Sequence, residues 1–411
     1  MRTDEENRNF GTTNYPELGI GPISAEPYYS AEYFEREKSS IFSKVWLNVC
    51  REEELPQAND FVTFYVPSNK ASVLIVRGDD GKVRAFYNLC SHRGNKVVWE
   101  SKGSSKAFAC RYHGWAYRSD GTLASVPDAG GFFELDRGQL GLTPIRADIW
   151  GGFVFINFDA AGAESLSDYL AEVGDQLKGF PFAKYSAWSR FTAELRVNWK
   201  TAIDAFQETY HVRFLHKRSL GDSLTGPENP FCHCGWAQVY DRHRTMSVYG
   251  NPKYCPTPTE ALAYQFGPSA TKGNIGQEQA GINPGRLPAW AFDAHHIFPN
   301  CVMGISAETY FTHQFWPIAV DRTAWVVTNY HAPAMNAGQM FNQQYSDTQL
   351  RDILLEDAIT LEHAQEAIGS GGKQSFILHD QELLIRHMYN VVEGYVRKGG
   401  NSARPRLLHK Q

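Results

Sequence analysis

The stretch NLCSHRGNKVVWESKGSSKAFACRYHGWAY, residues 88–117, carries two short Cys/His arms. The first is Cys90-x-His92, the second is Cys110-x-x-His113, and seventeen residues separate them. Each arm supplies one thiolate and one imidazole. That arrangement suits a Rieske-type [2Fe–2S] centre, in which cysteines hold one iron and histidines the other and raise its potential. The same four donors could hold structural zinc, although zinc sites of this composition ordinarily take both cysteines from one C-x₂₋₄-C arm. Gly94 and Gly114, just after the two histidines, let the backbone turn tightly where a side chain would crowd the site. A one-electron centre of this kind either passes electrons on or serves chemistry in the same chain.

Around these arms the texture is β-rich, from residue 61 to about residue 158. FVTFYV, ASVLIVR and VRAFYNL are separated by turn clusters such as Asp79-Asp80-Gly81, and WAYR and TLASV flank Ser119-Asp120-Gly121. The arms therefore lie on two loops of a small all-β domain, assigned to residues 42–160. Residues 1–41 form a polar arm and the start of a helix that Ser30 caps, running over AEYFEREKSSIFSKVWLNV, residues 31–49. This segment is expected to pack with the C-terminal domain.

The remainder, residues 161–411, reads as a larger α+β domain. SLSDYLAEVGDQL is helical, and another helix begins near Asn198. Strands follow in HHIFPNCVMGI, TYFTHQFWPIAV and AWVVTNYHA, and helices close the chain at about 347–369 and 377–397. The stretch from about 225 to 295 is rich in Pro, Gly, Ser and Asn, and its weak periodicity places no element.

The 411 residues, with 42% hydrophobic and 21% charged content, are an ordinary soluble composition with room for two or three domains. A net charge of −5 gives no reason to expect nucleic acid. The N-terminus MRTDEENRNF has no apolar core of a leader, and no run of eighteen apolar residues occurs, so the expected location is the cytoplasm. Seven cysteines, two of them in the arms, argue for a reducing compartment over a disulfide framework. Cys232-His233-Cys234 resembles another metal arm but lacks a partner arm, and reads as loop or sheet.

NWKTAIDAFQETYHVRFLH, residues 198–216, suggests a second metal site. On a helix from Trp199, the residues Trp199, Ala202, Ile203, Phe206 and Tyr210 form an apolar stripe. Asp204, Glu208 and His211 fall together on an adjacent face, and His216 follows near the helix end. Two close histidines suit a metal, though a solvated polar face would read the same way. The helix DTQLRDILLEDAITLEHAQEAI adds a second signal: its apolar stripe Leu350, Leu354, Asp357, Leu361, Ala364 and Ile368 contains one carboxylate. An ionised Asp on a buried face is costly unless it is paired or binds metal. Glu356 lies off the stripe with Asp352, Thr360 and His363 and reads as surface. His211, His216 and Asp357 together would make a 2-His-1-carboxylate triad, which leaves positions on Fe(II) open for oxygen and substrate.

The chain resembles the α subunit of a Rieske non-haem iron oxygenase, the ring-hydroxylating oxygenase family, over nearly its whole length. CSHRG with CRYHGWAY resembles the family's cluster loops, although Ser91 and Arg111 stand where proline is frequent. NWK…ETYHVRFLH resembles its iron-binding helix and LEDAITLEHAQ its carboxylate helix. The resemblance implies a helix-grip α+β catalytic domain with an antiparallel sheet. It implies that Cys90, His92, Cys110 and His113 hold a [2Fe–2S] cluster, and that His211, His216 and Asp357 hold mononuclear iron. It places Glu208 where the family usually has an aspartate bridging a cluster histidine of one subunit to an iron histidine of the next, and Asp204 where asparagine is common in naphthalene-type members.

The implied activity is O₂ activation at Fe(II) and hydroxylation of a hydrophobic, aromatic substrate. Electrons would come from NAD(P)H through a separate reductase, with or without a ferredoxin. The alternatives are a monooxygenase or demethylase acting on a non-aromatic or N/O-alkyl substrate, and, from another class, an electron carrier without chemistry of its own. A homotrimer, with or without β subunits, follows from the family's electron path. By position, Phe206, Thr209, Val212, Ala294, Phe298 and Met303 are the candidates to line a substrate pocket.

Overall fold

A computed structural model describes residues 11–267, 279–306 and 309–397. The first ten residues of the polar arm, residues 268–278 of the unplaced stretch and residues 398–411 lie outside the described residues. Ile41–Tyr169 forms one compact unit, and the segments before and after it form the second.

The N-terminal segment contributes a two-residue strand, β1 (Ile23–Ser24), and the helix α1 (Ala31–Glu37). Ser30 caps α1 as expected, accepting from the Tyr33 N–H at 3.2 Å. The helix is far shorter than 31–49. Ser39 and Ser40 turn their hydroxyls back onto the Arg36 carbonyl at 2.9 and 2.7 Å, and Lys38–Phe42 widens into a π-turn. Beyond it, LNVCR pairs into a sheet.

The unit Ile41–Tyr169 is all-β. Its strands are β2 (Leu47–Arg51), β3 (Asp60–Val66), β4 (Ala71–Arg77), β5 (Val83–Tyr87), β6 (Lys102–Ser104), β7 (Ala107–Ala109), β8 (Ala116–Arg118), β9 (Leu123–Ser125), β10 (Pro144–Trp150) and β11 (Phe153–Asn157). Seven of them form an antiparallel sheet in the order β2-β11-β10-β5-β4-β3-β6, and β7-β8-β9 form a small second sheet. Phe61, Leu74, Phe86, Phe108, Trp115 and Tyr117 pack a core that also includes Cys90 and Cys110.

The larger unit is built on a second seven-stranded antiparallel sheet. Before it comes α2 (Leu166–Gln176), which is broken at Ala171. The strands are β12 (Ala187–Leu195), β13 (Trp236–Val239), β14 (Arg244–Tyr249), β15 (Trp290–Ile297), β16 (Cys301–Ile305), β17 (Tyr310–Ala319) and β18 (Arg322–His331), in the order β12-β18-β17-β16-β15-β14-β13. Its helices are α3 (Trp199–Asp204), α4 (Val212–Leu215), α5 (Pro258–Ala263), α6 (Ala337–Gly369) and α7 (Leu383–Arg397). A last short strand, β19 (Ser375–Phe376), pairs with β1. The architecture is the expected α+β arrangement. β13, β14 and most of β15 occupy the stretch that periodicity could not place; β14 and β15 bury polar residues among their apolar ones. Ser247 donates to Asp293 at 2.6 Å and Thr245 meets His295 Nδ1 at 3.0 Å, all four residues being buried. No helix among the described residues is long and apolar enough to cross a membrane.

A buried ion pair ties α1 to α3. Lys200 Nζ lies 2.6 Å from Glu37, whose other oxygen accepts from Trp199 Nε1 at 2.9 Å, and both charged side chains are almost wholly enclosed. Breaking such a pair from one side leaves a lone buried charge. Lys200→Met is expected to lower unfolding free energy by about 3–5 kcal/mol, and adding Glu37→Met should recover most of the loss. Denaturant unfolding of the single and double variants checks this; a single variant as stable as the parent would refute it.

Candidate active site

The two Cys/His arms fold as near copies of one loop. After β5, the Gly94 N–H donates to the Cys90 carbonyl at 2.9 Å; after β7, the Gly114 N–H donates to the Cys110 carbonyl at 2.9 Å. Both glycines take left-handed φ, 73° and 71°. A Cβ on Gly114 would also come within 3.1 Å of Pro127. Each loop closes with a second backbone bond, Cys90 N–H to Asn95 and Cys110 N–H to Trp115, at 2.9 and 2.8 Å.

These loops bring the four donors together. Cys90 and Cys110 are buried free thiols, and the rings of His92 and His113 lie 4.5 Å apart. His92 stacks on Trp115 at 5.0 Å, and its Nδ1 is buried without a hydrogen-bond partner. Tyr117 Oη lies 3.2 Å from Cys90 Sγ and accepts from the Ser91 N–H at 2.9 Å, while Asn95 Nδ2 reaches Cys110 Sγ at 3.7 Å. An imidazole nitrogen held dry and unpaired beside two thiols ringed by hydrogen-bond donors is what a thiolate/imidazole cluster requires. The donor set fits a [2Fe–2S] centre.

In the larger unit the helix expected from Trp199 ends after one and a half turns. Asn198 caps α3, accepting from the Lys200 N–H at 3.0 Å, and the chain leaves helical geometry after Asp204. Asp204 therefore does not share a face with Glu208 and His211. It is half-buried, accepting from Tyr28 Oη at 2.9 Å and from Gln207 Nε2 at 2.8 Å, and desolvation pushes its carboxyl up to about 7. It does not line the cavity beside the triad.

Glu208 organises the turn between α3 and α4. Its carboxylate accepts from the N–H groups of Tyr210 and His211, the latter at 3.1 Å, and meets His211 Nδ1. Burial pushes the His211 pKa down, but the carboxylates of Glu208 and Asp357 outweigh it and the net shift is upward. On the far side of α4, His216 Nδ1 donates to Glu356 Oε2 at 2.9 Å, and Ser219 Oγ donates to the same oxygen at 2.6 Å. Glu356 is thus no plain surface residue: it fixes a histidine from the flank of α6. Asp357, the stripe carboxylate, is buried, with Oδ1 3.1 Å from His216 Nε2 and 3.8 Å from His211 Nε2.

These bonds set the tautomers. A proton on each Nδ1, facing Glu208 or Glu356, leaves a lone pair on each Nε2. Two lone pairs and a carboxylate oxygen without a hydrogen-bond partner then converge, with ligand atoms of His211, His216 and Asp357 within 4.8 Å of one another. Such a cluster repels itself unless a cation sits at its centre, so these residues fit a divalent metal with open positions. It is the one such group among the described residues. Cys232 and Cys234 instead point into an apolar cluster, where burial pushes both thiols up to about 12, and His233 faces outward.

Beside the triad lies a cavity of about 160 Å³ between α6 and the sheet. Phe206, Thr209, Val212 and Ala294 line it; Phe298 and Met303 do not. On β16 the alternating residues Val302 and Gly304 face the cavity, which turns Met303 to the opposite face, and Phe298 stacks on Tyr395 of α7 at 5.4 Å. Sequence reading missed Met246, Phe292, Phe311, His313 and Asn329, whose strands bring them to the same wall.

Residues 182–398 match the family profile of the ring hydroxylating alpha subunit (catalytic domain), and residues 45–136 match the Rieske [2Fe-2S] domain. The chain is 36% identical over 191 residues to the carnitine monooxygenase oxygenase subunit of Escherichia coli (strain K12), which covers 46% of this chain and 50% of that one. It is 35% identical over 246 residues to the 2-aminobenzenesulfonate 2,3-dioxygenase subunit alpha of Alcaligenes sp, covering 59% of each. The matched stretch spans about half the length of these curated relatives. Among solved structures, the quaternary ammonium Rieske monooxygenase CntA in complex with L-carnitine superposes with a TM-score of 0.72 at 22% identity, over 94% of this chain and 98% of that one. Naphthalene 1,2-dioxygenase from Rhodococcus sp. gives 0.71 at 20%, over 96% and 99%. These two likenesses concern the fold.

Asp357→Ala is expected to empty the triad of metal while leaving the cluster's visible spectrum unchanged. Glu356→Ala, which removes only the anchor of His216, should weaken metal retention about 10–100-fold. Metal analysis after graded chelation ranks the two; a Glu356→Ala protein that holds metal like the parent would contradict this role.

Proposed function

Because the chain belongs to the ring hydroxylating alpha subunit family and carries a Rieske [2Fe–2S] domain ahead of its catalytic domain, we propose that it is the terminal oxygenase component of a multicomponent system. The observation that carries this reading is the pair of separate donor sets in one chain: the two Cys/His arms, where His92 Nδ1 is buried and unpaired, and the triad, whose ligand atoms lie within 4.8 Å of one another. Mononuclear Fe(II) supplied with single electrons by a [2Fe–2S] cluster provides O₂ activation and insertion of one or both oxygen atoms into an organic substrate. Cys90, Cys110, His92 and His113 hold the cluster in this proposal, and His211, His216 and Asp357 hold the iron. An electron carrier would need neither the triad nor the cavity beside it.

The substrate we propose is neutral and hydrophobic, with an aromatic ring. Phe206, Phe292, Phe311 and Met246 supply the cavity's apolar wall, and no charged side chain lines it among the described residues except those of the triad and Glu208. A second reading, oxidation of an N- or O-alkyl group, rests on the same three phenylalanine rings, since aromatic faces attract quaternary ammonium groups. By their names, one relative is a carnitine monooxygenase and one solved neighbour a naphthalene 1,2-dioxygenase, so each reading has a counterpart. A turnover screen with a surrogate reductase separates the readings: ring hydroxylation supports the first, and release of an amine or alcohol fragment the second.

Electrons come from NAD(P)H through a separate reductase, with or without a ferredoxin, and the working assembly is a homotrimer, with or without β subunits. Exposed Leu89, Trp99 and Tyr112 beside the cluster loops, and exposed Tyr210, Phe214 and Phe231 beside Glu208, are apolar groups an assembly would cover. All seven cysteines are free, which supports a reducing cytoplasm.

The purified protein is expected to contain about three irons per chain, two in the cluster and one in the triad. A value of two, with an intact cluster spectrum and no iron lost in His211→Ala, would remove the triad from the proposal.

Glu208→Gln tests the link between the centres. Glutamine keeps the size but turns an NH₂ donor toward an imidazole N–H. Both metals should stay loaded and the cluster should still reduce, while cluster reoxidation in the presence of substrate and O₂ slows severely. Reoxidation at the parent rate in a single-turnover experiment would exclude Glu208 from the path.

A further inference from the structure

Asn95 touches both cluster loops. Its carbonyl accepts from the Cys90 N–H at 2.9 Å and closes the first loop, while its side-chain Nδ2 lies 3.7 Å from Cys110 Sγ of the second. The backbone that carries it is held on both sides. Before it, Gly94 takes its left-handed φ and returns its N–H to the Cys90 carbonyl. After it, Asn88 Oδ1 accepts from the N–H groups of Val97 and Val98 at 3.0 and 2.9 Å, and Asn88 Nδ2 donates to the Val98 carbonyl at 2.7 Å. Asn88 is buried, and Val97 and Val98 belong to the β core. With the main chain fixed on either side, only the side-chain torsions of Asn95 remain, and they aim its amide at the sulfur.

A cysteine that ligates iron does so as a thiolate, which has no proton and can only accept. The amide therefore turns Nδ2–H, not Oδ1, toward Cys110. Reduction adds one electron to such a cluster, and part of the added charge falls on the ligating sulfurs. A donor aimed at one of them stabilises the reduced form more than the oxidised form, and hydrogen bonds to the sulfurs are among the levers that set a cluster's potential. Asn95 is half-buried, so water competes only in part for the bond. The other sulfur, Cys90 Sγ, meets Tyr117 Oη instead.

We propose that Asn95 is a positioning residue that acts through Cys110: its Nδ2–H donates to the thiolate and raises the reduction potential of the cluster, which then takes an electron from a weaker donor than the four ligands alone would allow. This rests on the reading that Cys90, His92, Cys110 and His113 hold the cluster. The step is one electron in, supplied by the reductase, with no bond made or broken and Cys110 a thiolate throughout.

The test uses the full chain with its cluster loaded. Asn95→Leu removes the donor at similar size, and Asn95→Asp keeps the shape but sets a carboxylate against the sulfur. Redox titration with mediator dyes, followed by the visible and EPR spectra of the cluster, reads the potential. The one-electron reduction equilibrium should be about tenfold less favourable in Asn95→Leu, which is about 59 mV, and lower still in Asn95→Asp. A residue that merely braced the two loops would change how long the cluster survives and leave its potential alone. Either variant with an intact cluster spectrum and the parent's potential therefore overturns the inference. The parent gives a readout that needs no substitution: with nitrogen-15 in the side-chain amide of asparagine, pulsed EPR of the reduced cluster should detect a coupled amide nitrogen. Absence of that coupling overturns the inference, whether or not the variants assemble a cluster. A parent without a Rieske spectrum overturns the ligand assignment, and this inference with it.

Discussion

A carboxylate enclosed on the inner stripe of a 33-residue helix is the constraint on which the larger unit turns. Asp357 is 2% exposed, and an unpaired anion at that depth would cost several kcal/mol. With each Nδ1–H committed to a glutamate on its other side, the neutral imidazoles face it with bare Nε2 atoms. A bound cation relieves all three groups at once. The arrangement therefore demands that α6 lie with one face against the loop and short helix that carry His211 and His216. That requirement explains why α3 must stop at Asp204: a continuous helix would carry His211 away on its own axis. Where α3 ends, Tyr28 and Gln207 hold the Asp204 carboxylate.

The smaller unit solves its problem locally. Two loops with the same backbone bonds and the same left-handed glycine each present one sulfur and one imidazole, so the cluster needs few contacts distant in sequence. Depth sorts the donors: both thiols are buried, whereas His113 is exposed. These residues would hold a cluster with its thiolates within the β core and the His113 ring toward solvent, a placement that would suit single-electron exchange.

The difference in locality is also what decided legibility. The cluster arms could be read from thirty residues of sequence, because ligands and turn glycines are neighbours there. Asp357 was legible because α6 keeps its helical period through Leu354, Asp357 and Leu361, and a charge on that stripe stands out. Glu356 was not, since what makes it more than a surface residue is His216, 140 positions away. Asp204 was set on one face with Glu208 and His211 by an assumed helical phase, and α3 ends at Asp204. The strand β14 escaped because Thr245 and Ser247, buried and paired to His295 and Asp293, break any hydrophobic run, and β13 because its four residues are too short a stretch. Met303 was placed on the wrong face of β16 for a related reason: all five residues of that strand are buried, so burial cannot tell its two sides apart.

Glu208 joins these threads, and its valence can be counted. A carboxylate has about four lone-pair sites. Here one oxygen accepts from two backbone N–H groups, of Tyr210 and His211, and the other meets His211 Nδ1. Three sites are occupied inside its own chain and one is left. An approaching imidazole N–H is the size and polarity that the fourth site accepts, and no further donor could be accommodated. The three internal bonds also hold the carboxylate rigid, so that the remaining lone pair has a fixed direction before any partner arrives. A glutamate anchored this way can serve a bridge where a free one could not, because the entropy of its longer side chain has already been lost in folding. The extra methylene relative to aspartate then changes reach without loosening aim.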